Sequence, residues 1–310
     1  MGEAIAPSSH TVVAEMDAYL SFPAIAQAGG RLAVVFRAGK GNPLDFTARI
    51  LLVTSDDNGE TWSEPAVWAH NENCDSRNCG GNTLSDGRAH FVYDIHSVEG
   101  WRRPHVRFSE DGLSWTEPVW LDANKPGGPD AQRTSIVNQG LEWGDGRIYF
   151  PCFRGNSVLY DPKTGAQEQY ASVPRHEPAI AWNRRGELVA FSKGGPVDVS
   201  SDRGRTWVAA GDMDTICQPD LIQLSDGRLL FCYSGKLRLD EWAMLSEDGR
   251  NVYGDEPVRI FDGAPGPSLD SRGKTMCIER DGEILTVLYE SDEVKQHGKI
   301  YLVRTPIDAL

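Results

Sequence analysis

The chain has 310 residues, with 45 acidic against 31 basic side chains and a formal net charge of −14. That balance excludes a general nucleic-acid binder, which needs a basic face to neutralise phosphates, but it leaves room for a local cationic pocket. No stretch approaches the roughly 20 apolar residues of a membrane helix. The opening MGEAIAPSSH has neither a basic nor an apolar leader segment, so the expected location is the cytoplasm, or else a mature form whose leader has been removed.

The predicted elements are short strands punctuated by turn signals. HTVVAEMD reads as a first strand. FPAIAQAGGRLAVVFRAG reads as strand, glycine turn and strand, and ARILLVTSDDNGETWSEPAVWA follows as a second hairpin. The first hairpin returns as GGNTLSDGRAHFVYDIH, SIVNQGLEWGDGRIYFPCFRG, PAIAWNRRGELVAFSKGG, PDLIQLSDGRLLFCYSGK and TMCIERDGEILTVLYES, six copies in all. The turn is usually Asp-Gly or Gly-Gly, which supplies the positive φ of a tight hairpin, and β-branched and aromatic residues flank it. Two hairpins make a four-stranded blade, and six blades of about 50 residues each fill the chain. Such blades bury their faces only by stacking, so the expected architecture is all-β: one six-bladed β-propeller domain over residues 1–310, with four-stranded antiparallel blades. DANKPGGPDAQ reads as a loop between blades. The sixth unit ends soon after its third strand, KIYLVRT, so HTVVAEMD is expected to complete that blade and close the ring.

The cysteines at 74, 79, 152, 217, 232 and 277 show no CxxC or Cys/His metal spacing. Cys152, Cys232 and Cys277 sit in apolar runs and read as buried thiols. Cys74 and Cys79 flank Arg77, and a disulfide between them stays open. There is no GxGxxG between a strand and a helix and no P-loop, so no cofactor is expected. No metal cluster stands out.

A turn motif recurs in register. Ser55, Asp57, Gly59, Thr61 and Trp62 form one copy, and Ser200, Asp202, Gly204, Thr206 and Trp207 another. Ser109, Asp111, Gly112, Ser114 and Trp115 form a copy one residue shorter. Ser246, Asp248 and Gly249 begin one that lacks the tryptophan, and YDPKTG stands in for it in the third blade. The aspartate is expected to cap loop N–H groups, the glycine to take positive φ and the tryptophan to pack between sheets. These turns resemble the Asp-boxes, or BNR repeats, of the sialidase-like propellers over nearly the whole chain. The resemblance implies fold rather than function, because the motif lies opposite the pocket and occurs in hydrolases, lyases and binders.

The up-and-down connectivity puts the start of each inner strand and the end of each second strand on one face. That rim holds Asp17, Tyr19, Arg37 and Asp45 in blade one, and Arg77, Asn78, Asp94 and His96 in blade two. Blade three supplies Gln132, Arg133 and Arg154; blade four Arg175, His176, Glu177 and Lys193. Gln218, Asp220, Tyr233 and Lys236 follow in blade five, and Asp270 and Tyr289 in blade six. Convergent cations on an acidic protein suit an anionic sugar, since the guanidinium fork binds carboxylates bidentately.

The sialidase-like resemblance implies an arginine triad for the substrate carboxylate, an acid/base aspartate, and a tyrosine nucleophile assisted by a glutamate. Arg37 resembles a triad arginine, Asp45 the acid/base, Glu177 the assisting glutamate and Tyr289 the nucleophile. The sequence departs from that pattern at Ser21-Phe22-Pro23, where Arg-Ile-Pro is usual, at Lys193 and at Gln218-Pro219-Asp220. Arg77, Arg133 and Arg175 are alternative cations. The expected function is a sialidase-like exo-glycosidase acting on a terminal anionic sugar. Two other classes stay open: a lyase using His96, His176, Tyr233 and Arg133 on a uronate glycan, and a non-catalytic glycan binder. The expected partner is a carbohydrate, with no nucleic acid and no membrane; the oligomeric state stays open.

Overall fold

Two-residue glycine turns reverse the chain where the sequence places them. Gly29 and Gly30, at φ 56° and 85°, join β2 (Tyr19–Ala28) to β3 (Arg31–Gly39). The computed structural model describes residues 6–123, 134–152, 155–213, 217–235, 240–250, 256–262 and 272–310, apart from the side chains of residues 217, 218 and 272. Blade one continues with β4 (Arg49–Ser55) and β5 (Ala66–Ala69). Blade two contains β6 (Cys74–Thr83), β7 (Ala89–Ser97), β8 (Arg102–Ser109) and β9 (Val119–Trp120), and blade three β10 (Leu141–Glu142), β11 (Ile148–Phe150), β12 (Ser157–Tyr160) and β13 (Gln167–Tyr170). Blade four comprises β14 (Ala179–Trp182), β15 (Leu188–Phe191), β16 (Pro196–Ser200) and β17 (Val208–Asp212). Blade five comprises β18 (Cys217–Gln223), β19 (Leu229–Ser234), β20 (Asp240–Ser246) and β21 (Val258–Asp262). β22 (Arg272–Arg280), β23 (Glu283–Asp292) and β24 (His297–Pro306) complete the series, with β1 (Ser9–Met16) as the fourth strand of blade six.

The fold is therefore a six-bladed β-propeller of six four-stranded antiparallel sheets, as the repeat implied. Ring closure is also as expected: β1 pairs antiparallel with β24, from Ser9 opposite Arg304 to Met16 opposite Gly298. The core lies between blades. Ile25, Val34 and Phe36 of blade one meet Phe91 and Tyr93 of blade two and Val287 of blade six. Blades four and five meet through Phe191 and Phe231, whose rings stand edge-to-face at 4.9 Å.

The Ser-x-Asp turns act as stapled hairpins. Asp57 accepts the Thr61 N–H at 2.9 Å and the Thr61 hydroxyl at 2.5 Å, while the Ser55 hydroxyl takes the Gly59 N–H at 2.7 Å. Asp202 and Ser200 repeat this on Thr206 and Gly204, and Asp111 caps Leu113 and Ser114. In blade three, Asp161 caps Lys163 and binds the Thr164 hydroxyl. These bonds hold Asp57, Asp111 and Asp202 at about 2, well below the usual carboxylate range; the donor is chiefly the threonine side chain at Asp57 and Asp202, and backbone N–H groups at Asp111. Trp115 stacks on Phe91 at 5.0 Å, packing between blades one and two together with Trp68.

Cys74 and Cys79 are free thiols, which settles the disulfide left open by the sequence, and Cys152, Cys232 and Cys277 are free and buried.

Candidate functional site

The hairpin turns give a common ruler for the six blades. Leu84, Trp143, Asn183 and Leu224 each donate their N–H across the turn, to Arg88, Arg147, Glu187 and Arg228. Ala28 and Arg280 open the two-residue turns of blades one and six. Counting back equally from these residues gives Phe22, Asn78, Val137, Glu177, Gln218 and Lys274. Four of them hold left-handed backbone, Phe22 at φ 53°, Asn78 at 56°, Glu177 at 50° and Lys274 at 40°. The strand register slips at this point in β2, β6, β18 and β22. Such conformations cost non-glycine residues free energy, and their recurrence at one level of the ring marks the mouth where side chains are re-aimed. Counting forward from the far side of each turn gives the facing set: Arg37, Asp94, residue 153, Lys193, Ser234 and Tyr289.

Around blades one and two this mouth is closed. Arg37 is fully buried; its Nε and Nη2 bind Asp75 Oδ1 and Oδ2 at 2.7 and 3.0 Å, and its Nη1 donates to the Gly41 carbonyl at 2.7 Å. A bidentate buried pair of this kind is a framework element. The guanidinium expected to contact substrate is here taken up by Asp75 and the Gly41 carbonyl. Arg77 shares Asp75, with Nη1 at 3.3 Å from Oδ2, reaches Asn42 at 3.2 Å and lies over the Phe22 ring at 5.0 Å. Burial pushes its pKa down, partly offset by Asp75.

Asp45 is tied into its own loop. Its Oδ2 accepts the Lys40 N–H at 2.8 Å, and Oδ1 accepts the Thr47 N–H and hydroxyl at 2.9 and 2.7 Å. Partial burial tends to raise its pKa, but those bonds and the Arg37 charge outweigh it, and the net direction is down. The raised pKa that a resting general acid needs is therefore absent at Asp45.

Asp94 is fully buried and accepts from Asn78 Nδ2 at 3.0 Å, the Ile136 N–H at 3.1 Å and the Ser135 hydroxyl. His96 is also buried, with Nε2 3.7 Å from Asp94 Oδ2, beyond hydrogen-bond reach, and burial lowers its pKa despite Asp94. The polar partners of Asp94 are thus protein groups, whereas neither ring nitrogen of buried His96 has a hydrogen-bond partner among the described residues. Tyr233 is buried edge-to-face on Phe191 at 6.1 Å, and burial pushes its phenol up. Tyr289 is 1% exposed, between the Tyr19 and Phe22 rings at 6.3 and 6.2 Å. His105 lies on β8, the third strand of its blade.

Blade four is open. Glu177 Oε1 and Oε2 both lie 3.2 Å from Lys193 Nζ, and His176 Nδ1 lies 3.6 Å from Oε1. Arg175 Nε reaches Asp198 Oδ2 at 3.3 Å, with 47% of its side chain exposed. Arg175, His176 and Lys193 line a cavity of about 550 Å³ together with Ser172, Pro174 and Pro196. This one blade therefore brings together a carboxylate, an imidazole and two cations at solvent. Arg133 and Arg154, with Gln132, Lys236 and Asp270, lie outside the described residues, as does the Gln218 side chain.

Lys274 and Asp75 escaped the sequence reading. Lys274 is 4% exposed and crosses the axis from blade six to donate to the carbonyls of Cys79 in blade two and Val137 in blade three. Burial lowers its pKa to about 8, against the pull of Cys79, Asp220, Asp94 and Glu177. Its signal was positional: Lys274 stands where Glu177 and Asn78 stand in their own blades. Asp220 is buried beside it in the core, accepting the Cys277 N–H at 2.7 Å, with its carboxyl pushed up by burial. Among the described residues no cluster of His, Cys, Asp and Glu is arranged to hold a metal.

No protein-family model and no curated protein matches the sequence. Solved structures do match. A protein of unknown function from Dyadobacter fermentans is 16% identical with a TM-score of 0.77, over 99% of this chain and 100% of its own. A Trypanosoma rangeli sialidase in complex with sialic acid is 15% identical at a TM-score of 0.72, over 98% of this chain, which spans 60% of that sialidase. The NanB sialidase from Streptococcus pneumoniae is 13% identical at 0.71, over 97% of this chain and 71% of its own. At identities this low the likeness shows a shared fold.

Proposed function

We propose that the chain is a sialidase-like carbohydrate-active enzyme, an exo-glycosidase that removes a terminal anionic sugar from glycans. The observation carrying this reading is the open group in blade four, where Glu177 is held 3.2 Å from Lys193, which lines a cavity with Arg175 and His176. Cations at solvent offer the carboxylate of an anionic sugar a counter-charge; Arg175 and Lys193 supply it here. The hydrolytic step is a displacement. The Tyr289 oxygen, relieved of its proton by Glu177, bonds to the anomeric carbon while the bond to the leaving-group oxygen breaks and that oxygen takes the proton of the Asp45 carboxyl. Water then displaces the tyrosine, giving one proton to Asp45, and Glu177 returns its proton to Tyr289. The buried Tyr289 requires the Phe22 ring to move aside, and Asp45, held ionised near neutrality, gives its proton only at acidic pH, so activity is expected to rise on the acid side.

One observation favours a second reading. His176 is 48% exposed and backed by Glu177 at 3.6 Å, the arrangement of a base that abstracts the proton α to a uronate carboxylate. A panel of sialylated, uronate-containing and neutral glycans separates the readings. A released reducing sugar, lost in Glu177→Gln, supports the hydrolase. An ultraviolet-absorbing unsaturated product, lost in His176→Ala, moves the assignment to a lyase. Binding without either product leaves a glycan-binding propeller and overturns both.

A further inference from the structure

The axis has a second mouth, at the hairpin end of the inner strands. Each inner strand, β2, β6, β10, β14, β18 and β22, ends its sheet, so one edge has no strand neighbour and faces the axis. Where these edges splay they surround a cavity of about 850 Å³, within the ~300–1,000 Å³ of small-molecule sites. Lys274, bonded to the Cys79 and Val137 carbonyls, crosses the axis nearer the other mouth and stands between this cavity and Glu177.

The lining has a specific chemistry. Among the described residues it contains no Arg, Lys or His and no aromatic ring. Its one carboxylate, Glu279, is satisfied, both oxygens accepting from Ser225, from N–H at 2.5 Å and hydroxyl at 2.6 Å. The hydroxyls are likewise engaged: Thr83 exchanges bonds with the Gln27 backbone at 2.8 and 3.1 Å, and Ser85 binds Glu142 at 2.9 Å. What remains is amide. Among the described residues the side chains of Gln27 and Gln223 make no hydrogen bond, and Asn82 uses only its Oδ1, on the Thr83 N–H at 2.7 Å.

Each amide both donates and accepts and carries no charge, which matches hydroxyl groups one for one. An anion finds no counter-charge here, and a planar ring finds nothing to stack on. Leu141, Ile222 and Ile278 supply the apolar wall that a ring of C–H groups needs. We propose that this second mouth binds a neutral polyhydroxylated molecule of mono- to disaccharide size, held by Gln27, Asn82 and Gln223. The assignment is independent of the function proposed for the opposite mouth.

The test is ligand-observed NMR titration of the full chain with glucose, maltose and myo-inositol, with glucuronate as the anionic control. Saturable binding of at least one neutral probe is expected, weakened about tenfold in Gln223→Leu or Asn82→Leu and unchanged in Glu177→Gln, whereas any glucuronate binding, which falls to the opposite mouth, is expected to be unchanged in Gln223→Leu. Gln223 is exposed, so Gln223→Leu decides the matter should Asn82→Leu fail to fold. The proposal is overturned if no neutral probe binds, if Gln223→Leu weakens glucuronate binding as much as that of the neutral probe, or if neutral-probe binding disappears in Glu177→Gln and survives Gln223→Leu.

Discussion

Blades one and four both place a cation six residues past the first turn, Arg37 in one and Lys193 in the other, and surround it differently. Arg37 is closed in by Asp75 on two nitrogens and by the Gly41 carbonyl on a third, with no surface left. Lys193 meets one carboxylate, Glu177, and keeps 30% of its side chain in solvent. The repeat fixes where a side chain starts, and the neighbouring loops decide whether it becomes framework or stays available. Blade two sends Asp75 into blade one, whereas nothing equivalent covers Lys193 among the described residues.

Breaking the closed side is expected to have the largest effect. Asp75→Asn leaves Arg37 buried without its counter-ion and should cost about 3–5 kcal/mol, read as a lower urea midpoint; a loss under about 1 kcal/mol would show that Arg37 is as available as Lys193. On the open side, Glu177→Gln should lower glycan turnover about a hundredfold or more while shifting stability by under about 1 kcal/mol. If instead it unfolds the protein without touching residual activity, the contrast between the blades is reversed.

Lys274 sharpens the comparison through pH. Its pKa falls from 10.5 to about 8 on folding. Between those values the unfolded chain keeps a proton that the folded chain has released, so wild-type stability should rise with pH across that window. Lys274→Met should remove that rise, and an identical pH profile in both proteins would place the lysine in water. The smallest effect is expected far from both blades' mouths. Ser55→Ala frees the Gly59 N–H and should cost about 1 kcal/mol, measured as a drop of a few degrees in Tm. Asp57, Asp111 and Asp202, held at about 2, contribute stability that is present above about 4 and lost as pH falls through 2.

The propeller was legible because its signals are local. Asp-Gly and Gly-Gly turns need positive φ, Ser-x-Asp turns recur in register, and HTVVAEMD supplied a strand where the last unit lacked one. The mouth was legible as a set of positions, since connectivity alone puts Arg77, Glu177 and Lys193 on one face. It was not legible as chemistry. Whether Arg37 meets a ligand or Asp75, whether Asp45 carries a proton, and whether Tyr289 is covered by Phe22 depend on contacts between residues far apart in sequence. Lys274 shows the intermediate case: its composition signals nothing, but alignment of the bulges would have placed it on the axis beside Asn78 and Glu177.

The pairing of Ser9–Met16 with His297–Pro306 also orders events in time. During synthesis β1 emerges with no partner, and its seat is made only after the strands of five other blades. Those five blades can form neighbour by neighbour, but the sixth waits for β24, and the loop closed between β1 and β24 runs past all of them. Until then the edge of β24's future place and the apolar residues Val13 and Ala14 stand exposed to other nascent copies. A chain moved by permutation to begin at Tyr19, with Ser9–Met16 following Pro306 through a short linker, would make that last pairing local and should refold faster with less aggregation.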